Sequence, residues 1–193
     1  MATGSPALHY DADVFRVQFP VARRFIYHLT FYRILRAAYA EQKLESEFWA
    51  PTTDAHLLQA AILWCIVFGS DGSSSLHWKH LNPQDAQSLQ ADFRQKLVRR
   101  LSINWGQWEI YWKDMVDFRN RYAAHRDGYD KPVPNFDMAL EVAYFYDEWV
   151  RQVISPDLLE EPPLKMTAAR LQNDYTPLIA QLLQTTKNLS KPK

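Results

Sequence analysis

Hydrophobic positions in this chain recur at intervals of three and four residues, and the two-residue alternation of half-buried strands is nearly absent. The pattern predicts a first helix from Pro20, in the first-turn position that proline tolerates, to about Leu44. Phe25, His28, Leu29, Tyr32, Ile34, Leu35 and Tyr39 give it a wide apolar band. A second helix, capped by Thr52, Thr53 or Asp54, reaches about Phe68; its run LLQAAILWCIVF has so few polar positions that it belongs at the centre of a bundle. Gly69 to Asn82 reads as a loop. Asn82, Pro83 and Asp85 form a helix start, and Leu89, Phe93, Leu97 and Leu101 make the stripe that follows.

Trp105 to Tyr129 reads as one helix, with Trp105, Trp108, Trp112, Met115, Phe118 and Tyr122 on one apolar face and a stop at Gly128. Asn135 caps a fifth helix to about Ile154, with Met138, Val142, Phe145, Trp149 and Val153 facing inward. The expected fold is therefore all-α: an antiparallel up-and-down bundle of about five main helices over residues 20–154. Residues 1–19 form a flexible lead-in. Residues 155–193 hold a proline-rich connector, a C-terminal helical segment that Pro177 kinks or splits after Thr176, and a polar tail.

Composition narrows the function classes. Lysine plus arginine and aspartate plus glutamate number 22 each, which argues against wide, nonspecific nucleic-acid binding but leaves room for a small basic site. The single Cys65 lies in an apolar run and reads as a buried thiol. No basic region followed by an apolar core marks a secretory signal, and the longest wholly apolar run, Ala60 to Phe68, is too short for a bilayer. A soluble, cytoplasmic protein with no membrane partner is expected.

Two stretches carry candidate chemistry. The loop holds His77, Trp78, Lys79 and His80, a set suited to stacking on a base and contacting an anion. It lacks the Gly-Lys-Ser/Thr ending of a phosphate loop, and two histidines three apart make no zinc site. A plain surface loop accounts for them as well. The second stretch is the end of the central helix, where Arg119, Asn120, Arg121, His125 and Arg126 cluster. Arg119 and His125 border the apolar face, and Asn120 points away from it, toward Lys113. Basic groups in a last turn also suit the negative end of the helix dipole, which needs no function.

Arg119-Asn120, then Arg121-Tyr122-Ala123-Ala124, then His125, resembles the signature of the HEPN superfamily, the "higher eukaryotes and prokaryotes nucleotide-binding" domains. Arg23 and His28 also have a permitted spacing, but bulky Phe25, Ile26 and Tyr27 stand between them and no helix end follows. The likeness extends more loosely over Pro20 to Ile154 and is greatest to the abortive-infection-associated branch. It implies a homodimer with a composite cleft and, in the enzymatic members, a metal-independent endoribonuclease without a cofactor. Arg119 would clamp the phosphate, His125 would move the proton, and Asn120 would orient one of them or hold the substrate backbone. Arg121, Arg126, His77, Trp78 and Lys79 would contact RNA, and an antitoxin or other regulatory protein is a further implied partner. Many toxin members carry a tyrosine two residues after the motif histidine; here Asp127 stands there and Tyr129 follows, which puts regulation at that tyrosine in doubt. Two other readings stay open: a noncatalytic HEPN module that binds RNA, a nucleotide or a protein, and an unrelated helical scaffold.

Overall fold

The computed structural model describes residues 10–42, 47–81, 86–124, 131–153 and 161–189. Among these residues there are six α-helices and no strand: α1 (Ala12–Gln42), α2 (Trp49–Phe68), α3 (Ala86–Arg100), α4 (Trp105–Asp117), α5 (Phe136–Val153) and α6 (Leu164–Leu189). The chain is an all-α helical bundle, as the periodicity predicts. The caps expected at Asn82, Pro83 and Asp85, and the stop at Gly128, lie outside the described residues.

α1 begins at Ala12 rather than Pro20, which corrects the reading of residues 12–19 as lead-in. Asp11 supplies the start that periodicity missed: its Oδ1 accepts from the backbone N–H groups of Asp13 and Val14, both at 3.0 Å. Pro20 therefore sits inside the helix, where it removes one backbone bond. Burial of Phe19, Ala22, Phe25, Ile26 and Leu29 on both sides of it offsets that loss. Gln18 is also fully buried. Its Nε2 donates to the carbonyls of Leu76 (3.1 Å) and His77 (2.9 Å), and its Oε1 accepts from the Tyr146 hydroxyl. Such a satisfied buried amide pins three parts of the chain together.

These contacts also set helix directions. Gln18 meets Tyr146 while Arg33 pairs with Asp137, so α1 and α5 are antiparallel. Phe31 meets the edge of Tyr175 and Ala38 packs with Leu183, so α6 runs beside α1 in the same direction. α6 is continuous through Pro177, correcting the expected split. Leu171 and Leu183, one on each side of the proline, are both buried, and the helix is thereby held along its length. The buried Asp147 caps its start, accepting from Leu164 N–H at 2.8 Å and from Arg151 Nε at 2.9 Å.

α2 is central, as expected, with Leu57, Leu58, Ala60, Ala61, Leu63, Trp64, Cys65, Val67 and Phe68 buried. Its start differs: the helix opens at Trp49, and the Thr52 and Thr53 hydroxyls sit within it, donating back to the carbonyls of Phe48 (2.6 Å) and Trp49 (2.8 Å). α2 ends at Gly69, where a Cβ would stand 2.4 Å from the Cys65 carbonyl oxygen. Backbone cannot step aside there. Gly69→Ala is expected to cost about 1–3 kcal/mol by overpacking, read as a lower urea midpoint; an unchanged midpoint would show that the turn can reopen.

The central helix has two parts. Asn104 caps α4 in a reciprocal box with Gln107. After Asp117 the backbone widens into a π-helical stretch, Phe118–Ala124, rather than continuing as one α-helix. Trp108, Tyr111, Met115 and Phe118 are buried, Trp112 and Tyr122 half-buried. Trp105 departs from the expected stripe and is 41% exposed. It opens the helix beyond the core, with Arg94 over its ring and its Nε1 donating to Glu109 at 3.0 Å.

Candidate functional site

The motif arginine is placed by that π-helical stretch. A π turn bonds i to i+5, so it inserts extra backbone and swings the side chains after Phe118 away from the register an α-helix would give them. Phe118 is fully buried and anchors the stretch, stacking on Tyr122 at 5.3 Å and meeting Phe136 edge-on at 6.1 Å. Arg119 then reaches in toward α2. It helps line a cavity of about 60 Å³ with Ile62, Cys65, Ile66 and Ser74. The Arg119 guanidinium lies against the Cys65 thiol and donates toward it, while its buried Nε has no hydrogen-bond partner. Burial pushes the Cys65 thiol up to about 12 despite that neighbour, so it stays a neutral thiol. A guanidinium donor left unmade at the edge of a core is costly.

Asn120 and Arg121 are exposed, and Arg121 lies 3.8 Å from Asp117 one turn back. Asp117 is shared with Lys131, which also reaches Asp114, so the segment after the motif returns to α4 through ion pairs. His125 and Arg126 lie outside the described residues. The second Arg–His match does not form a site. Arg23 pairs with Glu161 at 2.8 Å, and His28 Nδ1 lies 3.0 Å from His56 Nδ1 at the α1–α2 contact.

The loop residues part company with the motif. Trp78 is buried and stacked on Phe93 at 3.9 Å, with Trp149 T-shaped to it, so one face is taken up by the core, and the little surface it keeps lines a pocket rather than standing out from the loop. His77 is buried as well. Its Nδ1 accepts from the Lys79 backbone N–H at 3.3 Å, and its ring N–H serves the Gly69 carbonyl. Burial, helped by the nearby Lys79, pulls its imidazole down to about 4. Lys79 keeps its charge partner Asp71 at 2.6 Å. All three belong to a separate pocket of about 270 Å³ between the loop, α3 and α4. Among the described residues of the loop, Ser74 alone lines the Arg119 cavity. The sequence hid this division because the fold of the loop, with two 3₁₀ turns at Asp71–Ser73 and Trp78–Leu81, has no periodicity from which its facing can be read. It also concealed Cys65 as a neighbour of Arg119, although Ile62, Cys65 and Ile66 share one helix face.

The three half-buried or buried imidazoles make stability depend on pH. His77 titrates near 6.5 in the unfolded chain and near 4 in the fold, and burial also lowers His28 and His56. Below pH 6.5 the unfolded chain takes up protons that the fold refuses, so stability is full above that pH and falls toward pH 4. His77 accounts for up to about 3 kcal/mol of the fall. His77→Gln should flatten the melting temperature against pH over that window; a slope equal to that of the parent would overturn the assignment.

No described helix is long and apolar enough to cross a membrane. Compared with family models, with curated proteins and with solved structures, the chain matches none.

Proposed function

We propose that the protein is a HEPN-type, metal-independent endoribonuclease of defence or toxin character, acting as a homodimer through Arg119, Asn120 and His125. The observation that carries this reading is the π-helical stretch bearing Arg119-Asn120-Arg121, with a guanidinium donor left unpartnered inside it. Widened turns of this kind occur often at functional sites, where backbone regularity is given up to aim a side chain. Asn120 stands exposed beside it, and so does Arg121, which lies 3.8 Å from Asp117.

The chemistry suits these residue types. When a ribose 2′-hydroxyl attacks the adjoining phosphate, its proton must leave and the departing 5′-oxygen must gain one. A histidine titrating near neutrality does either task. Charge gathering on the phosphoryl oxygens is held by paired guanidinium hydrogen bonds. The products are a 2′,3′-cyclic phosphate and a 5′-hydroxyl. A dimer would bring two such sets to one cleft, and exposed Ile110 on α4 and Val133 after the motif offer apolar surface for that contact. An antitoxin or other regulatory protein would act at the same face.

Incubation with RNA in a metal chelator tests the reading. Cleavage with a 2′,3′-cyclic end is expected, and none where the scissile nucleotide is 2′-deoxy. Sedimentation should give a dimer at tens of micromolar, roughly. Cleavage of DNA, dependence on magnesium, or a monomer throughout would reject it. One observation favours a second reading, a noncatalytic HEPN module that binds RNA, a nucleotide or a protein: Arg119 faces Cys65 rather than solvent. Binding of RNA without cleavage would select that reading.

A further inference from the structure

The pocket of about 270 Å³ between the loop, α3 and α4 is lined by Trp78, Trp105, Trp108 and Trp112 together with Phe68 and Phe93. It shares no lining residue with the Arg119 cavity and stands apart from the ribonuclease reading. Its size falls just below the roughly 300–1,000 Å³ usual for small-molecule sites, so it suits one ring system with a short substituent. Two of its tryptophans are incompletely covered: Trp105 is 41% exposed, and Trp112 is half-buried with its Nε1 held by the carbonyls of Phe68 (3.0 Å) and Gly69 (3.2 Å). That tether fixes the Trp112 ring as a rigid wall.

Charge at the mouth decides the ligand's sign. Asp71 is paired with Lys79 at 2.6 Å, while Glu109 accepts from the Trp105 Nε1 at 3.0 Å and keeps its charge. The lining therefore holds three cations against two carboxylates, with Arg94 and Lys113 outside any ion pair. Arg94 lies over the Trp105 ring at 5.8 Å, and Lys113 lines the rim; neither has a carboxylate partner among the described residues. A quaternary ammonium would find aromatic walls but meet these two charges. A flat ring carrying an anionic group meets aromatic faces inside and unpaired cations outside.

We propose that this pocket binds a small planar aromatic anion, the ring between Trp105 and Trp112 and the carboxylate or phosphate against Arg94 and Lys113. The ring contact and the charge contact are separable. Titration of tryptophan fluorescence, with calorimetry alongside, would use indole-3-acetate as an aromatic carboxylate and uridine 5′-monophosphate as an aromatic phosphate. Indole, acetate and inorganic phosphate serve as controls. Binding of either aromatic anion below about 1 mM, at least tenfold tighter than any control, is expected. Whichever binds more tightly identifies the source of the anion. Arg94→Glu and Lys113→Glu, both outside the core, should each weaken binding by roughly tenfold and reduce its salt dependence. Trp105→Ala should weaken it by a similar factor without altering the fold, monitored by circular dichroism. The proposal fails if neither aromatic anion binds by 1 mM, roughly the weakest affinity worth assigning to a site. It fails too if indole binds as well as its acetate, or if both charge reversals leave affinity unchanged.

Discussion

Trp64→Ala is expected to destabilise the fold by about 3–5 kcal/mol, the range for removing a fully buried large aromatic. Trp64 has no exposed surface and sits where three helices meet. Its ring packs on Phe68 at 5.4 Å, on Trp108 at 6.4 Å and on Tyr111 edge-to-face at 6.1 Å. Its Nε1 donates to the Ala139 carbonyl of α5 at 3.2 Å, so truncation opens a cavity and also strands an acceptor. Neighbouring rings on long helices cannot close the gap without moving the backbone. Trp105→Ala is the matched comparison, since it removes the same side chain from a largely exposed site and should cost less than about 1 kcal/mol. Urea melts of the two variants would measure both. Equal midpoints would mean that α2 is not the centre of the bundle.

His125→Ala and Arg119→Ala are each expected to lower RNA cleavage by a factor of about a hundred to ten thousand, the usual effect of removing an acid-base or charge-stabilising group. The two should differ in what else they change. His125 would move the proton, so its loss should also remove the near-neutral limb of the pH–rate profile. Arg119 reaches into the edge of the core beside Cys65, so its loss should shift stability as well as rate. Arg119→Lys separates the roles: it keeps the charge but loses the planar fork, and should rescue stability more than cleavage. Full activity in His125→Ala would end the mechanism and leave these basic groups as a helix terminus. Arg23→Ala, at the second match, should leave cleavage unaltered, because Arg23 only pairs with Glu161.

Much of the architecture was legible in the pattern of residues. A helix apolar on every side has to lie at the centre, and α2 does. The stripes through Phe93 and Leu97, and through Val142, Phe145 and Trp149, bury as their spacing predicts. Local side chains also announced the cap at Asn135, because capping bonds reach only two or three residues. The motif of Arg119, Asn120 and His125 was equally visible as a spacing.

Only tertiary packing decided the rest. Proline normally marks a helix end, yet Pro20 and Pro177 both sit inside helices, since buried neighbours on each side hold the backbone through one missing bond. The π-helical stretch has no short-range signature, and it arises where Phe118 must reach the core while Arg119 meets α2. Likewise a polar loop concealed a buried tryptophan and a neutral histidine. His77-Trp78-Lys79 reads as surface by composition, but Phe93 of α3 and Trp149 of α5 approach from far along the chain and close over Trp78. The residue types thus determined which helices form and which faces turn inward, because those forces act within a few residues. Which polar groups meet was settled by contacts between segments distant in sequence, through burial that no local pattern encodes.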